Sequence, residues 1–221
     1  MHLLFDLDGT LTDPSEGIGR CIHHAFAQLQ LPPPAAAELP GWIGPPLYDS
    51  FLAAVGCPER AQQAVQWYRD RFATVGLYEN CLYDGIPELL AALHQQGHTL
   101  WVSTSKPQIF AQKIIHHFGL TPFLAKVYGS ELNGDRAHKA ELIAHLLATE
   151  GIPAAAAVMV GDRHYDIHGA RHNGMRAIGV TWGFGSATEL QAAGADALCD
   201  APTRFLAVLH TLETPSANRG K

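Results

Sequence analysis

The sequence LLFDLDGTLTD at residues 3–13 begins with an apolar run and then places two carboxylates two positions apart, Asp6 and Asp8. A short run of Leu and Phe that stops at Asp is typical of a strand buried on both faces. We therefore predict a strand at His2–Phe5, with both acids at its end. The two acids make this end of the strand the first candidate for a catalytic site.

Similar apolar runs recur along the chain, most of them bounded by Gly, Asp or Pro. We predict buried strands at His2–Phe5, Thr99–Ser103, Lys126–Tyr128, Ala156–Val160, Ala177–Val180 and Ala197–Leu198. Segments with helical spacing of apolar residues lie between them, at Ile86–Gln96, Gln108–Phe118, His138–Thr149 and Tyr165–Asn173. Strands alternating with helices predict an α/β fold, a doubly wound parallel sheet (Rossmann-like) with helices on both faces.

Residues 14–80 interrupt this alternation. They offer helical segments with no convincing strand among them, at Gly17–Leu29, Tyr48–Val55 and Glu59–Val75. The Pro- and Gly-rich stretch Leu31–Pro46 is predicted to be a loop. We therefore expect an α/β core domain from residues 1–13 and 81–212, and a small all-helical domain inserted at 14–80. The polar tail, residues 213–221, is expected to be frayed.

Composition excludes several classes of protein. With 221 residues, 47% of them hydrophobic and 16% charged, the chain has the balance of a globular protein and can bury its own core. Its net charge of −6 comes without a basic cluster, which argues against a nucleic-acid polymer as partner. No apolar run is long enough to span a membrane and no signal segment is visible, so we expect a cytoplasmic protein. The four cysteines form no metal or disulfide pattern and are predicted to be reduced core residues.

Polar residues follow three of the predicted strands at their carboxyl ends. Asp6 and Asp8 follow the first, the sequence STSK at 103–106 ends the second, and Asp162 and Asp166 follow the fourth. The carboxyl ends of parallel strands open on one crevice, so these residues can meet there. Clustered carboxylates repel each other unless a cation lies among them, and oxygen ligands suit a hard ion such as Mg²⁺.

The motifs DLDGT at 6–10, STSK at 103–106, Lys139 and GDRHYD at 161–166 occur in an order and spacing that resemble the haloacid dehalogenase-like hydrolase superfamily. The resemblance covers nearly the whole chain. The sequences GPPL at 44–47 and GDR at 161–163 are similar to the phosphoglycolate-phosphatase-like branch, which carries a helical cap after the first motif. The resemblance implies a phosphatase that acts on small phosphate monoesters.

The resemblance also implies a role for each matching residue. Asp6 would be the nucleophile that forms an aspartyl-phosphate, and Asp8 the general acid and base. Thr104 would bind a phosphoryl oxygen, and Lys139 would balance the charge of nucleophile and phosphate, with Lys106 as the other candidate for this cationic role.

Metal and substrate ligands are implied in the same way. Mg²⁺ would be held by Asp6, the backbone carbonyl of Asp8 and Asp162, with Asp166 as a further ligand or beside one. Backbone N–H groups around Thr10 and at Ser105 would contribute to the phosphate cradle. Arg20, with other Arg, Trp and Tyr side chains of the insert, is a candidate for contacting the leaving group.

Several alternatives stay open at this stage. Asp8 favours phosphate esters over carbon–halogen bonds, and the absence of lysine from residues 14–80 argues against phosphonate cleavage through a Schiff base. A 5'-nucleotidase or a pyrophosphatase fits the same motifs, and so does a sugar-phosphate mutase. A non-catalytic binding module is the alternative from another class. We expect a small phosphorylated metabolite as substrate and a monomer or homodimer.

Overall fold

A computed structural model of the protein describes residues 1–213, so the predicted frayed tail lies almost entirely outside the described residues. Its main sheet has six strands, with the spatial order β5-β4-β1-β6-β7-β8, and every neighbouring pair is parallel. The strands are β1 (His2–Phe5), β4 (Thr99–Pro107), β5 (Leu124–Ser130), β6 (Ala157–Gly161), β7 (Arg176–Val180) and β8 (Ala197–Cys199). The predicted α/β doubly wound fold is confirmed.

Strand β1 lies in the middle of the sheet because its side chains are apolar on both faces. Leu3 and Phe5 pack into one hydrophobic cluster and Leu4 packs into the other, on the opposite face. Its first residue, His2, is paired with Thr99 of β4 and with Ala157 of β6. The end of β1 lies beside the end of β6 and the middle of β4, which brings the residues that follow these positions to one edge of the sheet.

Nine α-helices occur within residues 1–213, and six of them belong to the part of the chain that carries the main sheet. The six are α4 (Ile86–Gln95), α5 (Gln108–His117), α6 (Lys139–Glu150), α7 (His164–His172), α8 (Ala187–Ala193) and α9 (Phe205–Glu213). None of the helices in this described range is long and apolar enough to pass through a membrane.

The remaining helices lie between residues 14 and 80, a segment called the helical insert below. They are α1 (Ser15–Gln28), α2 (Leu47–Val55) and α3 (Pro58–Phe72). Two short strands, β2 (Thr12–Asp13) and β3 (Cys81–Leu82), pair antiparallel where the chain enters and leaves the insert. Within the described residues 14–80 there is no strand, as the sequence predicts.

An aromatic cluster forms the interior of the helical insert. Phe26 and Phe51 both contact Trp42, with ring centroids 5.9 and 5.1 Å apart, and Tyr68 stacks on Phe72 at 5.4 Å. Phe72 also meets Phe110 of α5 edge to face at 5.5 Å. Such aromatic pairs stabilise packing by about 0.5–1.5 kcal/mol beyond the buried area. The interior of the insert is therefore continuous with the hydrophobic cluster on one face of the main sheet, through the contact with helix α5.

The structure corrects three predictions. Leu31–Pro46 is not a loop throughout, because Ala36–Trp42 forms a 3-10 helix in which Glu38 accepts a hydrogen bond from the Ala35 N–H at 2.7 Å. Of the cysteines, only Cys21 and Cys199 are buried. Helices α8 and α9 were not predicted, although α8 begins with a capping serine and ends before a glycine.

Candidate active site

A tight turn after β1 places the first acid. The Leu7 carbonyl accepts hydrogen bonds from the N–H groups of Leu11 and Thr12 at 2.9 and 3.0 Å, which folds the chain back on itself. Asp6 is 4% exposed, and its Oδ1 accepts from the Leu7 N–H at 2.7 Å. Gly9 in this turn has φ +85°, and a Cβ there would collide with the Asp162 carboxylate. Glycine at position 9 thus lets the turn after β1 approach Asp162.

Three buried carboxylates gather at this edge of the sheet: Asp6, Asp162 and Asp166, each with an oxygen within 4.8 Å of the others. Burial, with the neighbouring Asp166 and Asp6 charges, holds the pKa of Asp162 well above its usual range. Burial also raises the pKa of Asp166, to about 6. Asp162 is held in place by the Thr10 hydroxyl at 3.2 Å and the Phe184 N–H at 2.8 Å.

The donor set of this cluster fits a divalent cation such as Mg²⁺. Its three ligands are carboxylate oxygens, which hard cations prefer. Buried carboxylates this close together repel each other, and a cation among them would relieve that repulsion. The Asp8 side chain is not part of this cluster, and the backbone carbonyl of Asp8 stays a predicted metal ligand.

Lys139, the first residue of α6, is the cation in contact with the cluster. Its Nζ lies 3.0 Å from Asp6 Oδ1 and 2.8 Å from Asp166 Oδ1, and it donates to the Ser103 carbonyl at 2.8 Å. Burial disfavours its charge, but Asp166 and Asp6 outweigh this and raise the pKa of Lys139 above its usual value. The lysine therefore stays charged, although its side chain is only 3% exposed.

Asp8 pairs with the other predicted lysine. Lys106 Nζ lies 2.7 Å from Asp8 Oδ2 and 4.5 Å from the ring centre of Phe72 in the insert. Burial raises the pKa of Asp8, and the Lys106 charge opposes that increase. The second oxygen of Asp8, Oδ1, is buried and has no hydrogen-bond partner among the described residues. One oxygen of this carboxyl group is thus anchored and the other is available to a ligand.

A pocket lies between this edge of the sheet and the helical insert, with a free volume of about 70 Å³. Asp6, Asp8, Thr104, Ser105 and Lys106 form its core side. Thr104 is buried, and its hydroxyl accepts from the Lys106 N–H at 3.3 Å. The insert supplies an opposite wall that is mostly apolar: Ile18, Trp42, Ile43, Gly44, Pro45, Leu47, Tyr68, Arg69 and Phe72.

Two predicted substrate ligands do not line this pocket. Thr10 is fully buried and its hydroxyl binds Asp162, so it orients a carboxylate instead. Its backbone N–H donates to the Leu7 carbonyl at 3.3 Å, and therefore does not face a ligand. Arg20 is exposed and pairs with Glu16 and Glu79, both at 2.6 Å. In this structure Arg20 thus lies away from the pocket, paired with two glutamates.

Two arginines, one of which lines the pocket, donate to backbone carbonyls across the boundary between core and insert. Arg163, next to Asp162, donates to the Ile43 carbonyl at 2.6 Å and pairs with Glu189 at 3.0 Å. Arg69 of α3 donates to the Leu132 carbonyl, which follows β5, at 2.7 Å. The sequence singled out Arg69 only as one of several candidates and missed the contact that Arg163 makes, because a backbone acceptor leaves no trace in the sequence.

Comparison with known proteins identifies the family. A family model described as haloacid dehalogenase-like hydrolase matches residues 3–180. A 5'-nucleotidase of Pseudomonas aeruginosa is 53% identical over 86% of this chain and 87% of its own length. A protein of Dickeya dadantii named "Probable phosphatase IndB" is 32% identical over 95% and 94%. The solved structure of "a predicted phosphatase from Clostridium acetobutylicum" superposes with a TM-score of 0.91 at 38% identity, covering 96% of this chain and 98% of that one.

The chain therefore belongs to the haloacid dehalogenase-like hydrolase family, as its motifs indicate. Relatives named as phosphatases and the matching site make it a phosphoric monoester hydrolase.

Proposed function

We propose that the protein is a Mg²⁺-dependent phosphatase that hydrolyses small phosphate monoesters through an aspartyl-phosphate on Asp6. The observation that carries the proposal is the arrangement of two acids at one end of the pocket. Asp6 lies in the carboxylate cluster against Lys139, and Asp8 keeps one oxygen without a partner. A carboxylate nucleophile paired with a lysine ammonium group, and a separate carboxyl group with a free oxygen, are what a two-step phosphoryl transfer needs.

The reaction divides between these two residues. First, an Asp6 carboxylate oxygen attacks phosphorus, the ester P–O bond breaks, and Asp8 gives its proton to the departing oxygen. Then a water oxygen attacks the aspartyl-phosphate, and Asp8 takes a proton from that water. Asp6 is released as a carboxylate together with inorganic phosphate. The raised pKa of Asp8 favours the protonated form that the first step requires.

Phosphoryl transfer depends mostly on positioning and on charge neutralisation. Lys139, 3.0 Å from Asp6, offsets the charge that nucleophile and phosphate would otherwise share. Thr104 lines the pocket and offers its hydroxyl to a phosphoryl oxygen. Bound Mg²⁺, with Asp6, Asp162 and Asp166 as ligands, would supply further positive charge at those oxygens.

Nucleoside 5'-monophosphates are the substrate class that we favour over phosphoglycolate. The insert wall of the pocket carries three aromatic side chains, Trp42, Tyr68 and Phe72. Aromatic rings are suited to packing against a planar nucleobase. The relative that is 53% identical is named a 5'-nucleotidase. Sugar phosphates and pyrophosphate remain as comparison substrates, since a mutase or pyrophosphatase would prefer them.

The test is release of inorganic phosphate from a chromogenic phosphate ester and from a panel of metabolites. The panel contains nucleoside monophosphates, phosphoglycolate, sugar phosphates and pyrophosphate, each measured with Mg²⁺ and again with excess chelator. We expect hydrolysis only with metal, and its loss in Asp6→Asn. The exposed acid Asp84 provides the matched control, Asp84→Asn, which should keep full activity. Activity that survives chelation or the Asp6→Asn change would refute the mechanism.

A further inference from the structure

Arg69 has an unusual position for an arginine. It lies on α3, lines the pocket between the core and the insert, and is fixed at one end by the 2.7 Å hydrogen bond from Nη1 to the Leu132 carbonyl. Its Nε–H is buried and has no hydrogen-bond partner in residues 1–213. Burial lowers the pKa of this guanidinium. Arg69 is therefore half-buried, and the one buried donor of its guanidinium group, Nε–H, lacks an acceptor in the protein.

The chemistry of the surrounding wall makes this donor distinctive. Arg69 is the only charged residue among those of the insert that line the pocket, and its neighbours there include Trp42, Tyr68 and Phe72. On the core side, Lys106 is paired with Asp8. A buried N–H without an acceptor is destabilising, whereas a ligand that brings an acceptor removes that penalty. The wall thus selects for a leaving group with an apolar body and an exposed acceptor.

We propose that Arg69 is the residue that determines specificity for the leaving group. It donates a hydrogen bond to a carbonyl oxygen or ring nitrogen on the edge of a nucleobase, while the base contacts the apolar wall. This inference rests on the proposed phosphatase function and deepens it, because it assigns the recognition of the base to one side chain. Hydrolysis of the phosphate itself does not require Arg69.

The experiment compares two esters that differ only in the base. In each variant, kcat/KM is measured for the best of the four common nucleoside 5'-monophosphates and for ribose 5-phosphate. Arg69→Gln should lower kcat/KM for the nucleotide about ten- to a hundredfold, the range expected for a lost hydrogen bond from a charged donor. Activity on ribose 5-phosphate should fall by a clearly smaller factor, because that ester loses only the effect of the bond that fastens the insert to Leu132. Arg69→Lys should retain part of the preference for the nucleotide, because it keeps a charged donor.

Arg60 provides a matched control on the same helix. It also donates to a backbone carbonyl, that of Leu29 at 3.3 Å, but it is exposed and does not line the pocket. Arg60→Gln should leave both substrates unaffected. Thermal melting of each variant identifies any that fails to fold, and in that case Arg69→Lys carries the comparison.

Three results would overturn the inference without affecting the proposed function. Equal losses on nucleotide and ribose 5-phosphate would mean that Arg69 acts only by tying the insert to Leu132. A larger loss on phosphoglycolate than on the nucleotide would make Arg69 a carboxylate ligand. A wild type that prefers ribose 5-phosphate would remove the base from recognition, while leaving the phosphatase proposal intact. Absence of Mg²⁺-dependent hydrolysis of every ester would instead refute the proposed function, and this inference with it.

Discussion

The two sides of the pocket are built on different principles. On the core side, buried charges hold each other at short distances, with Lys139 between Asp6 and Asp166 at 3.0 and 2.8 Å. On the insert side, the wall is apolar and is fastened to the core by arginines that bind backbone carbonyls, Arg163 to Ile43 and Arg69 to Leu132. Electrostatic interactions hold the core side in place. Packing and a few hydrogen bonds hold the insert side.

This difference indicates how well each side of the pocket tolerates substitutions of its residues. Buried ion pairs tolerate no loss of one partner, because the remaining charge stays in a dry environment. An apolar wall accepts changes of side chain that preserve volume, at a modest cost in stability. The residues that carry out the reaction therefore do not tolerate single substitutions. The residues that contact the leaving group do tolerate them. The predictions below test this contrast.

The largest effect is expected from Lys139→Met. Removing the ammonium leaves Asp6 and Asp166 buried without their shared counter-charge, which should lower the free energy of unfolding by about 3–5 kcal/mol. Loss of a cation that neutralises the transferring phosphoryl group should also reduce kcat by roughly a thousandfold. Denaturant unfolding and steady-state kinetics on the chromogenic ester measure the two effects.

Lys126→Met is the control for this change. Lys126 also pairs with a carboxylate, Glu150 at 3.1 Å, but half of its side chain is exposed. An exposed pair contributes at most about 1 kcal/mol, so this variant should remain stable and fully active. If both lysine variants lost similar stability, the contrast between a fixed core side and the rest of the molecule would fail.

A smaller effect is expected from Lys106→Met. Burial raises the pKa of Asp8 and Lys106 lowers it, so removing Lys106 should raise that pKa further. Asp8 must be protonated to act as the acid, and hence the alkaline limb of the profile of kcat/KM against pH should move to higher pH. The second step needs Asp8 ionised, so kcat should fall by about tenfold. A phosphoenzyme detected by acid quench should accumulate.

The control is Lys113→Met, an exposed lysine on α5. It should leave the pH profile and the amount of phosphoenzyme unchanged. An alkaline limb that moves to lower pH in Lys106→Met would contradict the assigned relation between Lys106 and Asp8.

The core side of the pocket was largely predictable from sequence. Asp6 and Asp162 come at the ends of short apolar runs, Asp166 lies four positions after Asp162, and the strands that precede Asp6 and Asp162 are adjacent in the sheet. Parallel strands expose their carboxyl ends at one edge, so order along the chain was enough to bring Asp6, Asp162 and Asp166 together. The motif resemblance added Lys139, which the structure places against two of these acids.

The insert side was not predictable, for two physical reasons. Arg163 and Arg69 bind backbone carbonyls, and the sequence gives no sign of which carbonyl a side chain will reach. Arg20 was selected as an arginine of the insert, but its partner Glu79 lies 59 positions away, and only the tertiary fold reveals this pair. Which arginine faces the pocket is decided by the packing of α1 and α3.

A further prediction concerns the link between the two sides. Arg163 packs against Gly44, where φ is +112° and a Cβ would lie 3.1 Å from the arginine Cγ. Arg163→Gln removes the bond to the Ile43 carbonyl and loosens the insert over the pocket. We expect KM to rise about tenfold, as for a lost hydrogen bond from a charged group, with kcat reduced less.

Arg171→Gln on the same helix is the control, since Arg171 is exposed and donates to the Gly194 carbonyl at 3.1 Å. It should not alter KM. A fall in kcat with unchanged KM in Arg163→Gln would place this residue with the catalytic groups and would weaken the division between the two sides.

The smallest effect is expected at Glu79, beside the strand by which the chain leaves the insert. Arg71 holds Glu79 with two hydrogen bonds at 2.7 and 3.0 Å, and this contact, aided by Arg20, lowers the pKa of Glu79 from 4.5 to about 2. A depressed pKa in the folded state contributes stability that is present above pH 4.5 and is lost as the pH falls towards 2. Glu79→Gln should therefore lower Tm by only about 1–3 °C at pH 7, because the pair is partly exposed to solvent. The decrease in Tm should become smaller in acid, where Glu79 of the wild type is itself protonated. Asp84→Asn, at an exposed position that makes no described ion pair, is the control and should not change Tm at any pH. Activity at pH 7 should stay normal in both variants, and a loss of activity in Glu79→Gln would mean that the base of the insert also controls the pocket.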